Sequence, residues 1–278
     1  MQSSTNKKLT KKEIGEFQNF IWQFYKQYGR PFAWRNVENS YYILVSEIML
    51  QQTQTYRVEP KFEQFIAAFP DIQTLAQADL RDVLGVWQGL GYNRRGKALW
   101  QNAQRVVDEF KGVLPDDPDV LQTFTHIGPN TAASITAFAF NKPVVFIETN
   151  IRAVFLHSFF KDQEKIKDAQ LMPLIAQTLD VNNAREWYYA LMDYGVHLKK
   201  SLPNPSRKSA HHAVQSKFQG SDRQIRGKII KKIVEVQSIN KDELIMFLGK
   251  ESERYERILN ALVAEQMVLE KNNQIYIK

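Results

Sequence analysis

Along residues 12–28 the apolar positions Ile14, Phe17, Phe20, Ile21, Phe24 and Tyr25 recur at steps of three and four, which places them on one face of a helix. Gly29, Arg30 and Pro31 close that element. The same period predicts helices over about 43–55, 58–69, 74–78, 80–88, 92–110, 117–123 and 129–140, with turns at Pro70, Gly89, Gly91, Pro115 and Gly128 between them. After Pro143 the run 144–147 is β-branched enough for a short strand. A helical period over 151–160 follows at once, so the run reads as a buried connector. Helices over 169–179 and 184–198 complete an all-α pattern.

Residues 201–222, SLPNPSRKSAHHAVQSKFQGSD, lose all periodicity and are rich in Ser, Pro and basic side chains, the composition of a linker. The tail, 223–278, reads differently. A basic helix to about Val236, helices over 241–247 and 253–265, and alternating runs 267–270 and 274–277 bent around Asn272-Asn273 give the order of a small winged-helix-like α+β domain. Such a tail is either a contact module for DNA or protein or a structural cap. No internal repeat is visible.

The 278 residues suffice for about two domains, and 44% hydrophobic with 12% aromatic content is ample for packed cores. Formal charge is +7, and the excess is uneven: Lys199, Lys200, Arg207, Lys208, Lys217, Arg223, Arg226, Lys228, Lys231 and Lys232 share a stretch with one acid, Asp222. A cationic stretch of this kind favours a polyanionic partner through counterion release. The absence of cysteine excludes disulfides, thiolate metal sites and cysteine nucleophiles. The first residues are polar and cationic, and no run approaches the roughly 18 apolar residues of a membrane span. Neither export nor membrane anchoring is expected, and the address is intracellular: cytoplasmic and nucleoid-associated, or another DNA compartment.

Two acids, Glu47 in SEIMLQQTQ and Glu148 in VVFIETN, flank a glycine turn, FTHIGPNTA. One carboxyl to protonate a leaving base, one to steady the sugar cation left behind, and backbone N–H groups at a helix start to grip phosphate are the parts of base-removing chemistry on DNA. Each has a plainer reading as well. A lone helix glutamate is usually surface, an acid before a helix is usually a cap, and glycine between helices is usually only a turn.

With WQGLGYNRR added, these segments stand in the order and near the spacing of the helix-hairpin-helix (HhH) DNA glycosylases, and the chain most resembles their MutY-type adenine glycosylases over about Phe20 to Lys200. The resemblance implies an all-α, two-lobed HhH glycosylase fold: a helical barrel at 31–142, a second lobe from 8–30 plus 143–200, the linker 201–222 and the winged-helix-like domain 223–278. It also implies a monomer acting on double-stranded DNA that holds a damaged or mismatched base, flipped into a cleft between the lobes. Glu47 matches the general acid, and Asn150 an asparagine supporting catalysis. Gln51, Gln52, Tyr92 and Asn93 match positions against the DNA stack. Ile127, Gly128, Asn130 and Thr131 form the phosphate-gripping hairpin, and Lys199, Lys200, Arg207 and Lys208 are further phosphate contacts.

The chain departs from the family in five places. Glu148 stands where the family has aspartate, which moves the carboxylate by about 1.5 Å. Asn130 replaces the Schiff-base lysine of bifunctional members, which implies a monofunctional enzyme. Lys199 stands near the first cysteine of the family's iron-sulfur cluster, so no cluster, metal or other cofactor is expected, and His211-His212 read as solvated linker rather than ligands. Asn93 removes one stacking tyrosine, and the winged-helix-like tail takes the place of a Nudix-like domain. Three functions stay open: excision of adenine opposite 8-oxoguanine or G; excision of another base, such as uracil, thymine opposite G, or an oxidised or alkylated base; and DNA binding without catalysis.

Overall fold

A computed structural model describes residues 8–35, 37–211, 217–249 and 251–277. The helices run α1 (Lys11–Tyr28), α2 (Ser40–Leu50), α3 (Thr55–Ala68), α4 (Ile72–Gln77), α5 (Leu80–Trp87), α6 (Asn93–Phe110), α7 (Pro118–Gln122), α8 (Pro129–Phe140), α9 (Thr149–Phe159), α10 (Asp168–Thr178) and α11 (Ala184–Ser201). A 3₁₀ turn (Pro205–Lys208) precedes the tail, which comprises α12 (Asp222–Val236), β1 (Ser238–Asn240), α13 (Lys241–Leu248), α14 (Ser252–Ala264), β2 (Leu269–Lys271) and β3 (Gln274–Tyr276). No described helix is long and apolar enough to cross a membrane.

The chain divides into two compact units, one of Met1–Ile43, Asp116–Thr123 and Ile127–Val214, the other of Leu44–Pro115, Phe124–His126 and Gln215–Lys278. These boundaries differ from those read in the sequence. Residues 127–142 join the first unit because α8 is buried from Ala132 to Ala139 and packs on α7 and α11. In the same unit α11 packs on α1 and α9, and its core is aromatic, with Phe138 stacked on Tyr189 at 4.5 Å and Phe146 against Tyr188 at 4.2 Å. Such pairs add about 1 kcal/mol beyond the area they bury. Under this core Asp193 of α11 is held by Arg30 and by Arg35, whose guanidinium donates to both carboxylate oxygens at 2.8 and 2.9 Å. Burial alone would raise the Asp193 carboxyl, but these two arginines hold it below the usual carboxylate range.

In the second unit α6 packs on α4 and α5, and α3 on α5. Gly96 is required on α6 because a Cβ there would meet the Trp87 ring at 2.8 Å. The tail is not tethered loosely to this unit. Leu80 and Leu84 of α5 share one core with Ile225, Ile229, Ile233, Leu244, Leu259 and Ile275 of the tail, and each such side chain contributes about 2 kcal/mol on burial. The winged-helix order is present, with one strand more than the sequence pattern predicts: β1 pairs antiparallel with β3, which pairs with β2. β1 has only Ile239 buried and, unlike β2 and β3, no adjoining turn pair such as Asn272-Asn273 to mark it. Asn272 and Asn273 form the two-residue hairpin turn with φ of 51° and 60°, the left-handed pair that a tight hairpin selects.

Residues 201–211 are not the featureless linker that the composition predicts. The 3₁₀ turn packs on α9 with Pro205 and Ser206 buried, and Ser209 bridges to Ile166. Local proline and asparagine turn chemistry orders the segment without any helical period for the sequence to show.

Candidate active site and nucleic-acid interface

Glu47 stands in the last turn of α2, half-buried, beside Ser46 at 1% exposure and Ile48 at 0%. The sequence period carries this helix to about Thr55, but it stops at Leu50, and Gln51 and Gln52 lie in the turn beyond, Gln52 with φ of 55°. The cause is Arg95 of α6. Its Nη1 donates to the carbonyls of Ile48 at 3.0 Å, Met49 at 2.9 Å and Gln51, and its Nη2 to Thr53 Oγ1 at 3.0 Å and Gly91 O at 3.2 Å. The last carbonyls of a helix lack partners within it, and a cation suits that end of the dipole. Burial pulls the Arg95 pKa down to about 10, so it remains charged at neutral pH.

Sequence reasoning missed Arg95, although a signal existed. Arg95, Leu99, Asn102 and Val106 fall on one buried helix face, and a charge on an apolar stripe implies buried acceptors. Asn102, 1% exposed, exchanges two 3.0 Å bonds with the backbone of Thr125 in the glycine hairpin, while Gln51 Nε2 donates to His126 O at 3.2 Å.

Gln51, Gln52, Tyr92 and Asn93 line one cleft of about 820 Å³. The loop before α6 turns through left-handed residues at Gly89, Gly91 and Tyr92, with φ of 95°, 74° and 50°. The Tyr92 ring therefore lies between two guanidinium groups, Arg95 and Arg223, each 5.3 Å from its centre, and Arg223 also donates to its hydroxyl. The far wall is α12, with Arg223, Arg226, Lys228 and Lys231. No aspartate or glutamate is among the lining residues. Glu265 of the tail instead pairs with Arg94 and Arg226 from behind, and those pairings hold it below the usual carboxylate range against the opposing effect of burial.

The first unit carries Glu148, Asn150, Lys199, Lys200, Arg207 and Lys208. Glu148 is the N-cap of α9. Its Oε1 accepts from the N–H groups of Asn150 and Ile151, both at 2.7 Å, and its Oε2 from Asn150 Nδ2 at 3.1 Å. The capping role is thus fulfilled even with the longer side chain. Lys199 Nζ donates to Asn150 Oδ1 at 2.9 Å, which extends the chain of bonds to three side chains. Burial lowers the Lys199 pKa, and the charge of Glu148 works against that shift. Gly195 lets α11 come this close: a Cβ there would stand 2.3 Å from Asn150 O.

Not every basic residue of the 199–232 stretch faces solvent. Lys199 is tied to Asn150, Lys208 donates to Lys161 O and Arg226 to Glu265, whereas Lys200 and Arg207 are exposed. In the hairpin Ile127 is buried at 4%, Thr131 is half-buried, and Gly128 and Asn130 are exposed at the start of α8. Gly128 has φ of −85°, and a Cβ there would meet nothing within 4 Å. Neither backbone strain nor internal crowding demands glycine at this position.

The family cluster does not fit this donor set. The chain has no thiolate, and the residue near the first ligand position is an amine engaged with Asn150. Among the described residues no group of three or more His, Cys, Asp or Glu is placed to hold a metal ion. His211 is exposed, and His212 lies outside the described residues.

The sequence pattern of the HhH-GPD superfamily base excision DNA repair proteins matches residues 45–177, which contain both acids and the hairpin. The chain is 30% identical over 226 residues to the adenine DNA glycosylase of Mycolicibacterium smegmatis, covering 74% of this chain and 76% of that one. It is 31% identical over 181 residues to the adenine DNA glycosylase of Buchnera aphidicola subsp. Baizongia pistaciae, covering 64% and 52%. The chain spans about half the length of several curated relatives it matches. A thermostable thymine-DNA glycosylase of known structure has the same fold, with a TM-score of 0.59 at 21% identity over 66% of this chain and 86% of that one. The chain belongs to the HhH-GPD superfamily of base excision DNA repair proteins.

Proposed function

We propose that the protein is a DNA N-glycosylase that binds double-stranded DNA and hydrolyses the bond between a flipped base and its sugar, with adenine opposite 8-oxoguanine or G as the target. The observation that carries this reading is a basic cleft edged by the amides of Gln51 and Gln52, with Glu47 half-buried one helical turn before them although not itself among the lining residues. A carboxyl so placed is a proton donor to a purine ring, and it later activates the attacking water. Glu148, an anion fixed by two backbone donors, offsets charge on the sugar as the bond breaks. Asn150 holds that carboxylate and is itself held by Lys199. Asn130 offers no amine at the hairpin for a Schiff base, which supports a monofunctional enzyme that leaves an abasic site.

The adenine preference rests on the relatives named adenine DNA glycosylase. Similarity in fold to a thymine-DNA glycosylase keeps other bases in the assay. Duplexes carrying A opposite 8-oxoguanine, A opposite G, T opposite G, uracil and alkylated adenine, treated with protein and then alkali, are expected to break at adenine in the first two. Glu47→Gln is expected to lower the single-turnover rate by about 10³-fold while duplex binding stays within a few-fold. Tight binding with no strand breaks on any duplex would overturn the enzymatic reading.

Gly128 sharpens the hairpin's part. Because the fold itself leaves a side chain room there, glycine is explained by something approaching from outside, and a phosphate against the first N–H groups of α8 is that approach. Gly128→Ser introduces a favoured N-cap, so the melting temperature is expected to hold or rise while duplex affinity falls about tenfold, or about 1.4 kcal/mol.

A further inference from the structure

The cleft of the second unit has a wall that the family pattern does not supply, since the matched region ends at residue 177 and α12 begins at Asp222. Phe218, just ahead of that helix, is 56% exposed and lies outside the core that α5 and the tail share. The Arg223 guanidinium lies 5.8 Å from its ring and 5.3 Å from that of Tyr92, so an aromatic, a cation and a second aromatic follow one another along the cleft. A base laid on the outer face of Phe218 would continue this series, and base–aromatic stacking contributes wherever a π-face is open.

The charges run the same way. Glu265 neutralises Arg94 and Arg226, but among the described residues no ion pair reaches the exposed Lys228, and Lys231 meets Glu235 only at 3.8 Å with both side chains more than half exposed. Arg57 donates to Gly89 O and lines the same cleft, which has no acid among its described lining residues. A volume of about 820 Å³ falls within the range of clefts that hold small organic ligands, roughly 300–1,000 Å³. The amide of Gln52 at its edge suits the hydrogen-bonding edge of a base, and Gln51 beside it already donates to His126 O.

We infer that the C-terminal module is a nucleotide-binding wall: the base left unpaired when its partner leaves the stack lies on Phe218, and its flanking phosphates meet Lys228 and Lys231. This rests on the glycosylase reading, because flipping one base is what leaves the other without a partner. The tail is then a working part of substrate recognition. Its rigid seating on α5 through the shared core gives it the fixed position that such a role needs.

The test uses the full chain carrying Glu47→Gln, so that bound duplex is not consumed, and a fluorescent guanine analogue placed opposite the target adenine or, in a second duplex, 2-aminopurine in the target strand two nucleotides away from an adenine opposite G. Quenching on binding is expected at the opposite position, and Phe218→Ala is expected to remove it. Lys228→Gln with Lys231→Gln is expected to reduce the slope of log affinity against log salt by about 1.8, two phosphate contacts at 0.9 each. These residues are exposed, and circular dichroism verifies folding. Quenching that survives Phe218→Ala, or is confined to the target strand, overturns the inference. So does an unchanged salt slope, or variants that bind duplex normally but lose a fluorescent oligoglutamate probe. Excision by the Glu47 protein with tail-insensitive quenching defeats this inference alone, whereas tail-dependent quenching without excision on any duplex defeats the glycosylase reading and leaves the binding wall.

Discussion

The two glutamates occupy opposite kinds of helix terminus. Glu47 stands in the last turn of α2, where backbone carbonyls point outward and a buried arginine from α6 has been recruited to meet them. Glu148 stands ahead of the first turn of α9, where its own carboxylate meets the free N–H groups. An anion is favoured at a helix start and disfavoured at a helix end. Two like side chains therefore stand at helix ends of opposite sign, although the charged Arg95 offsets the α2 end, and the roles we propose divide along that placement: proton donor at the end of α2, standing anion at the start of α9. Placement on the backbone, more than residue type, separates acid from counter-ion.

Breaking the α2 terminus is the largest available perturbation. Arg95→Met keeps much of the side-chain volume but leaves the carbonyls of Ile48, Met49 and Gln51 without their donor. Buried acceptors stranded in this way cost about 1–3 kcal/mol each. A total loss of roughly 4 kcal/mol in denaturant unfolding is expected, with the turn at Gln51 and Gln52 loosened. A loss under about 1 kcal/mol would show that the end of α2 does not depend on that cation, and the asymmetry between the two termini would fall with it.

The two termini also differ in how far the sequence discloses them. The start of α9 is legible because its parts are local: Glu148, Asn150 and Ile151 lie within three residues, and an acid before a helical period already reads as a cap. The end of α2 is not, because what stops it is an arginine 44 residues beyond Gln51, and the apolar period continues past the point where the helix ends. The family resemblance located Gln51, Gln52, Tyr92 and Asn93 but placed no tail residue beside them. Tyr92 meets Arg223 across 131 positions and Arg94 meets Glu265 across 171, separations at which neither period nor composition carries information. The helical elements followed from periodicity, and the tail from its turn residues. The cleft itself followed from neither, since it exists only once α5 and the tail share a core.

Gly195→Ala tests the α9 terminus in return. The added Cβ would stand 2.3 Å from Asn150 O and 2.7 Å from Asn150 C, backbone atoms that cannot swing aside. Overpacking of this kind costs about 2 kcal/mol, and the displacement falls on the residue that links Glu148 to Lys199. A melting temperature lowered by several degrees and a slower excision rate with duplex affinity kept are expected. A variant with normal excision would remove Asn150 from the proposed chain of contacts and leave Glu148 as a cap alone.

The smallest effect separates the two termini by their response to pH. Lys199 is pulled below the ordinary lysine range mainly by burial, with Glu148 offsetting part of the shift. In the unfolded chain the same amine titrates near 10.4, an approximate model value. Between the lowered folded value and that one, the unfolded chain holds a proton that the folded chain has released, so stability rises with pH across the window. Below the window both states are protonated and the charged amine's burial penalty is fully present. Above it both are neutral and the penalty is gone. Lys199→Met removes this term and also the donor to Asn150, but the second loss shifts stability by a nearly constant amount. Denaturant midpoints for the two proteins, measured from neutral pH up to about 10.5, are therefore expected to diverge in favour of the wild type as pH rises, while contributions from Arg95 and other groups cancel in the difference. A difference that stays flat across the window would mean that Lys199 is not held against Asn150 in a desolvated setting, and the N-terminal anion of α9 would then stand without the amine that now secures its neighbour.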